Sequence, residues 1–512
     1  MSLNLAPSYP HPPWDFKDKD RDRTLYWKQL YCVILYSYAT VVKRWPVIIT
    51  NIIDTVYRAV DAEGNSSPEK VAEGKALISQ LSKLKYDMSH DRPLAEIPED
   101  GGLNSKVYND RLQDLEKSGN NTWMKIPWLF GEYVVLLKPI LFAIRYIKVT
   151  VQLACNTQKY GALVGGINGL WPLFHVFNRL EELAQVMVDI EGRRKEFEQG
   201  GDGWEDKLAI VFAEMLPDEL QSFANAFASL GGNATDLSML PSMDPADVAL
   251  LQAVGEDKAH LILRNDAGAL WNHVRSLRDA RLDFVLDNGV SKYHQFGVHA
   301  WLTIGCKLDL SKAVFHPKPI PWFVSDVTPR DWDAIFRALK DPDFFTMLDP
   351  SMAHPNALKK MVERWEAYTQ TGLFALAPEE TYAFWAAPGG YWEVAPGMDG
   401  EVVGKILDGS GLVIFKRWHF SYRKLTGDIK WPNTTPWEEA IGTMNLISLI
   451  VDPMQCYHTG PLAGRFPLLS LRTCKADVVV GLDKDLVERL DGDPKEKGWR
   501  AGGKQTSDGD QE

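Results

Sequence analysis

The sequence predicts an α/β protein, with a helical N-terminal subdomain joined to a three-layer α/β/α domain built on a mostly parallel sheet. Three observations carry that prediction. Up to about residue 250 the apolar residues recur at helical spacing over long segments, whereas beyond it short strand-like runs alternate with capped helices. Between Arg281 and Asp326 two segments each read as strand, acidic turn, helix. The 512-residue chain, 45% hydrophobic, can bury a large core.

Taken in order, residues 1–22 carry Pro10, Pro12 and Pro13 among charges and have no apolar signal-peptide core, so disorder is expected there. The helical subdomain is expected over 23–250. It opens with the stretch 25–60, where Leu30, Val33, Ile34, Val41 and Val42 share contacts and Pro46 marks a kink or boundary. In 68–85, Val71, Leu77, Ile78, Leu81 and Leu84 fall on one helical face. A loop with one short helix is expected over 91–121, long helices over 127–154, 172–197 and 204–230, and a linker over 233–247. The α/β domain is expected over 251–492. Its strand-like runs are 259–264, 282–286, 314–324, 411–415, 468–472 and 478–481. The remainder, 493–512, is charged and Gly-containing and is expected to be disordered.

Composition excludes several classes. A net charge of −12 with no basic block argues against general nucleic-acid binding. Five scattered cysteines, Cys32, Cys155, Cys306, Cys456 and Cys474, form neither a CxxC pair nor a Cys/His metal spacing, which favours a reducing compartment. A membrane span needs about 20 apolar residues. The apolar run 30–42 is shorter, and charges interrupt 126–155 at Glu132, Lys138, Arg145 and Lys148, so both are expected as buried helices. A soluble, cytoplasmic protein with no membrane partner is the expectation.

The chemistry concentrates in the two matched segments. Arg281-Leu282-Asp283-Phe284-Val285-Leu286 stops at Asp287-Asn288-Gly289, and Tyr293, Phe296, Ala300, Trp301 and Ile304 follow at helical spacing. A second apolar run, Ile320 to Val324, stops at Ser325-Asp326. Thr328 then caps a helix with Pro329 at its first position and Asp331 in its first turn. In an open parallel sheet, ligands bind beyond the carboxyl ends of strands, where helix N-termini favour anions. Asp287, Asn288 and Asp326 would converge there. As hard oxygen donors they suit Mg²⁺ or Mn²⁺ and are ill suited to zinc. Asp-Asn-Gly is also a common turn, since Asn and Gly tolerate positive φ; the second acidic strand end favours the metal reading.

These motifs resemble those of the damage-control phosphatases, metal-dependent sugar-phosphate phosphatases also described as acidic-residue methyltransferase-like. The resemblance rests on Val285-Leu286-Asp287-Asn288, on Ile320-Pro321-Trp322-Phe323-Val324-Ser325-Asp326 and on Tyr422-Arg423-Lys424-Leu425-Thr426-Gly427-Asp428. It continues through Thr434-Thr435-Pro436-Trp437-Glu438-Glu439-Ala440 and Leu471-Arg472-Thr473-Cys474-Lys475-Ala476-Asp477. Weaker likenesses lie at Arg44-Trp45-Pro46, residues 77–84 and Pro127-Trp128-Leu129, so the match spans roughly residues 25–500, in the family's order. It implies Asp287 and Lys475 in catalysis, and Arg423, Arg472, Thr473, Lys416 and Ser325 around a phosphoryl group. An Arg fork matches two phosphate oxygens, and Lys adds a point charge. Lys424 and Lys430 are expected at the surface, and Thr435 as a helix cap. No histidine is assigned to catalysis. A divalent ion would act as Lewis acid; whether water or the Asp287 carboxylate attacks stays open.

The chain departs from the family's pattern in two places. Where members carry Glu four residues after Asn, this chain has Lys292. Before Tyr-Arg-Lys-Leu, members carry Lys-Gly-Asp-x-Asn; here Lys416-Arg417-Trp418-His419-Phe420-Ser421 lacks both the Asp and the Asn. The metal half of the site survives, while the sugar half becomes more cationic and more aromatic. Three readings follow. The first is a divalent-metal phosphohydrolase with an altered phosphorylated metabolite as substrate. In the second, Trp301, Trp418 and Phe420 line a pocket that ionises an isoprenoid diphosphate, as a terpene cyclase does. The third is a non-catalytic phosphometabolite-binding protein. Methyl transfer is disfavoured, because no Gly-rich strand-turn-helix is present for its cofactor.

Overall fold

The computed structural model describes residues 41–42, 45–62, 68–97, 104–127, 130–131, 263–264, 266–286, 310–319, 327–329, 332, 336, 340, 356–394, 399–417, 424–425, 432–437, 440, 462, 465–472, 479–493 and 499–500. The expected helices within 172–230, the linker 233–247, the boundary near 250 and the segment 1–22 lie outside them.

The regular elements described in the N-terminal half are helices, joined by turns and irregular chain that include one isolated bridge between Pro93 and Thr122. Helix α1 spans Trp45–Ala62, α2 Pro68–Ser89 and α3 Ser105–Lys117. Pro46 falls at the start of α1, where a missing N–H costs nothing because the first turn has no acceptor for it. The predicted face of α2 is the one that packs. Leu77 and Leu81 join Trp45, Ile49, Val56, Tyr108, Leu112 and Leu115 in one core, with Ile78 and Leu84 partly buried against it. Trp45 meets Trp123 edge to face at 6.2 Å, a geometry that aromatic quadrupoles favour.

Beyond residue 262 the elements are α4 (Ala267–Ser276), β1 (Ala280–Val285), β2 (Leu310–His316), α5 (Asn356–Thr371) and β3 (Phe374–Leu376). They continue with α6 (Tyr382–Trp385), α7 (Glu401–Leu407), β4 (Leu412–Arg417), β5 (Leu468–Arg472) and α8 (Lys484–Gly492). The five strands form one sheet in the order β3-β2-β1-β4-β5, and every pairing is parallel. The protein is therefore α/β. The central strand β1 is fully buried from Leu282 to Val285, as expected of a parallel strand covered on both faces.

Three of the predicted runs became strands within about two residues of their expected limits: β1, β4 and β5. The run 314–324 did not continue as one strand. β2 ends at His316, since Pro317, Pro319 and Pro321 follow at alternate positions and none can donate to a ladder. Among the described residues of 478–481 there is no strand; Gly481 and Leu482 instead donate to the carbonyls of Thr435 and Asn433 at 2.7 and 3.0 Å. Residues 263–264, at the end of another expected strand, are likewise irregular. β3, only three residues long, carried no periodic signal. Residues 329, 332, 336 and 340 are helical, as the Thr328-Pro329 start predicts. Within 493–512, Trp499 departs from the expected disorder: it is buried against Val479, Leu482 and Leu490, and its indole N–H donates to Asp491 at 3.1 Å.

Candidate functional site

The strand order locates a crevice. From β1 the chain winds outward through β2 to β3, then returns to β4 on the other side of β1 and continues to β5. The reversal falls between β1 and β4, and in open parallel sheets ligands bind outside the carboxyl ends of the strands at such a point. Leu286 follows β1 and donates its N–H to the His316 carbonyl at 3.0 Å, which holds the ends of β1 and β2 level. Asp287 is the next residue in sequence. Beyond β2, the Lys318 N–H donates to the Val327 carbonyl at 2.8 Å, so the segment between them starts and ends at the same edge of the sheet. Ser325 and Asp326 immediately precede Val327 in sequence. On the other side of the reversal, β4 and β5 end in register, Lys416 paired with Leu471 and Arg417 with Arg472.

Asp287, Asn288, Lys292, Ser325, Asp326, Arg423, Thr473 and Lys475 lie outside the described residues, as do Trp301, Trp418 and Phe420. Lys416 and Arg472 are described as strand positions, neighbours at the carboxyl ends of β4 and β5. Among the described residues, no group of three or more His, Cys, Asp or Glu could hold a metal ion. No described helix is long and apolar enough to cross a membrane.

Beneath the crevice lies a buried charged network that the sequence reading did not single out. Asp283, on β1 and completely buried, accepts from His316 Nε2 at 2.7 Å through Oδ1 and from Arg281 Nε at 2.7 Å through Oδ2. Arg281 also donates to the Ile406 carbonyl in the last turn of α7, where the helix dipole favours a cation. Burial pushes the Asp283 carboxyl up, but the hydrogen bond and charge of His316, and then the Arg281 guanidinium, outweigh it and hold the carboxyl below its ordinary value. Because the carboxylate can only accept, His316 carries its proton on Nε2. Its Nδ1 has no hydrogen-bond partner among the described residues. The Trp385 ring stands edge to face on His316 at 5.4 Å and also meets Tyr391 at 5.2 Å. Phe415 on β4 completes this aromatic layer.

A second network joins the helical part to that layer. Glu393 is 4% exposed and accepts from Arg111 of α3 at 2.7 Å. Lys424, expected at the surface, is 2% exposed: its ammonium donates to the Ala387 carbonyl at 2.7 Å and sits 4.8 Å from the centre of the Tyr391 ring. A carbonyl and an aromatic face stabilise a buried ammonium, and neither is visible in the local sequence. Burial pushes the Glu393 carboxyl above its ordinary value, and Asp399 adds to the shift; Arg111 and Lys424 oppose it without reversing it. Asn104 and Tyr108 donate to the Ala383 and Ala386 carbonyls at 2.7 and 3.1 Å, which fixes α3 against the same segment. The readable signal was a lone Asp, Asp283, inside an apolar strand.

The damage-control phosphatase ARMT1-like domain matches residues 40–490 of this chain. The chain belongs to that family. Its similarity to individual members is modest in identity and extends over nearly the whole length. The damage-control phosphatase ARMT1 of Mus musculus is 28% identical over 473 residues, covering 89% of this chain and 92% of the mouse protein. That of Bos taurus is 28% identical over 492 residues, covering 92% and 94%, and that of Danio rerio 26% over 490 residues, covering 92% and 93%. The resemblance read from the motifs thus extends across this ARMT1-like chain, the helical half included.

Proposed function

We propose that this chain is a divalent-metal-dependent phosphohydrolase acting on a phosphorylated small metabolite. The observation that carries the proposal is the reversal in strand order between β1 and β4. The Asp287-Asn288 motif follows one side of it directly in sequence, and the basic strand end Lys416-Arg417 forms the other. Membership of the phosphatase family supports the reaction class. Asp287, Asn288 and Asp326 are the residues that would hold the ion, and their oxygen donors fit Mg²⁺ or Mn²⁺. When bound, such an ion supplies Lewis-acid polarisation of the phosphoryl oxygens. The chain's own cations, Lys475, Arg423 and Arg472, neutralise and orient the phosphoryl group, with Lys416, Thr473 and Ser325 adding donors. Lys292 adds a further positive charge where the family has an acid. The loss of the Asp and Asn before Tyr422 removes groups that would hold sugar hydroxyls. The altered half therefore favours a substrate bearing more negative charge than a phosphate monoester.

The test is release of phosphate from a panel of sugar monophosphates, sugar diphosphates and prenyl diphosphates, with Mn²⁺ or Mg²⁺ and with chelator. Metal-dependent phosphate release is expected, fastest from the multiply charged substrates. Asp287→Ala and Asp326→Ala should each lower it by well over about a hundredfold, beyond the range of residues that only support a site, with unchanged melting temperature. Metal-independent release, or activity retained in both variants, defeats the proposal. Hydrocarbon and diphosphate products would replace hydrolysis by ionisation of an isoprenoid diphosphate.

A further inference from the structure

Two polar atoms in the aromatic layer beneath the crevice are buried and unsatisfied, and they are of opposite kinds. His316 and Trp385 are both 0% exposed. Neither His316 Nδ1 nor Trp385 Nε1 has a hydrogen-bond partner among the described residues. Because His316 gives its Nε2 proton to Asp283 at 2.7 Å, Nδ1 carries the lone pair of the ring and needs a donor. The indole N–H can only donate and needs an acceptor. Taking either group out of water without a partner is costly, so native proteins seldom leave such atoms unpaired. The two rings adjoin each other, with centroids 5.4 Å apart and planes at 75°. One oxygen hydrogen-bonded to two nitrogens holds them roughly 4.5–6 Å apart. The ring separation accommodates that span.

We propose that a single buried water molecule binds between His316 Nδ1 and Trp385 Nε1. A hydroxyl oxygen accepts the indole proton and donates one of its own to the imidazole; a carbonyl cannot donate and an ammonium cannot accept. Full burial of both side chains limits the occupant to the size of water, and buried waters characteristically bridge polar groups that the chain leaves unmatched. The site needs neither a metal nor the acidic motif, so it stands or falls apart from the phosphohydrolase reading. Bound there, the water has two effects. By donating to Nδ1 it fixes the tautomer in which Nε2 serves Asp283, and so extends the Arg281–Asp283–His316 network. By accepting from Trp385 it fastens the central sheet to the segment around α6. The Ala383 and Ala386 carbonyls of that segment hold Asn104 and Tyr108 of the helical half.

The experiment is a crystal structure of the full chain in which buried waters are ordered, together with urea unfolding of His316→Gln, Trp385→Phe and the double variant. An oxygen peak within about 3.2 Å of both nitrogens is expected. A side chain in that place, or no peak between rings placed as here, overturns the inference. Gln keeps a donor for Asp283 while removing the Nδ1 acceptor, and Phe removes the indole N–H. Each single variant is expected to lower the folding equilibrium constant at least about fivefold. The double variant should fall no more than about threefold below the worse single, because either change already forfeits the shared water. Losses that multiply, so that the double falls by the product of the singles, show that the two atoms share no ligand and overturn it. The imidazole nitrogen-15 resonances give a further readout that a merely structural role would not move. In Trp385→Phe the Nδ1 signal is expected to shift while Nε2 stays protonated; an Nδ1 signal unchanged from wild type counts against a common water. Should Trp385→Phe fail to fold, the density peak decides by itself.

Discussion

Asp283, at the centre of the sheet, and Glu393, where the helical part meets the sheet, are both buried carboxylates facing an arginine and a second basic residue. Their carboxyls are nonetheless shifted in opposite directions, Asp283 below its ordinary value and Glu393 above. The difference lies in how the basic neighbours are used. Each oxygen of Asp283 receives its own charge-assisted hydrogen bond at 2.7 Å, one from His316 and one from Arg281. Glu393 receives such a bond from Arg111, but Lys424 directs its ammonium to the Ala387 carbonyl. A nearby charge that hydrogen-bonds elsewhere offsets desolvation only in part. Rigid strand neighbours explain why Asp283 is better served. Arg281 is two positions away on the same strand, and His316 lies on the strand paired to it.

The largest expected effect comes from breaking the better-compensated pair. Asp283→Asn leaves Arg281 and His316 without a buried anion and should destabilise the protein by about 3–5 kcal/mol, read as a lower urea midpoint at unchanged slope. A shift below about 1 kcal/mol would mean that the network is compensated in some other way. Next is Gly389→Ala. A Cβ there would overlap the Glu393 carboxylate, so the glutamate must move and lose Arg111. The expected cost is about 1–3 kcal/mol, and combining it with Glu393→Ala should recover part of that cost. If the double variant shows no recovery, Glu393 is not what the methyl group meets.

Glu393→Gln is the smallest change and the one that tests the sign. Gln keeps the size and an acceptor oxygen for Arg111 while removing a charge that burial disfavours, so at neutral pH the effect should stay within about 1 kcal/mol. The pH dependences must differ. The Asp283 carboxyl is lowered in the folded state, so its contribution is complete above the ordinary value of 3.8 and is lost as pH falls below it. The Glu393 carboxyl is raised, so the folded protein holds that proton more tightly. Its contribution is greatest in acid and declines as pH rises through the ordinary value of 4.5. Melting temperature followed from pH 7 downward should therefore fall less steeply below 3.8 in Asp283→Asn than in wild type. In Glu393→Gln the gain on acidification near 4.5 should be absent. Identical profiles in the two variants would remove the distinction between the sites.

The same contrast marks how far local sequence could reach. The runs that became β1, β4 and β5 are short, apolar and bounded by Gly, Asp or Pro, and those features depend on neighbours a few positions away. The order of motifs that identified the family is likewise written along the chain, from Asp287-Asn288 through Ser325-Asp326 to Arg472-Thr473-Cys474-Lys475. Tertiary structure alone decided where the charged side chains are satisfied. Asp283 meets His316 at a separation of 33 residues, Lys424 meets Ala387 at 37, and Glu393 meets Arg111 at 282. Asp283 read locally as one polar residue in a strand, and Lys424 as a surface lysine, because burying a charge becomes tolerable only when a distant partner is brought to it. The sheet order was of the same kind. Parallel strands are joined by long crossovers, so the reversal between β1 and β4 that places the crevice depends on pairings that no short stretch of sequence encodes.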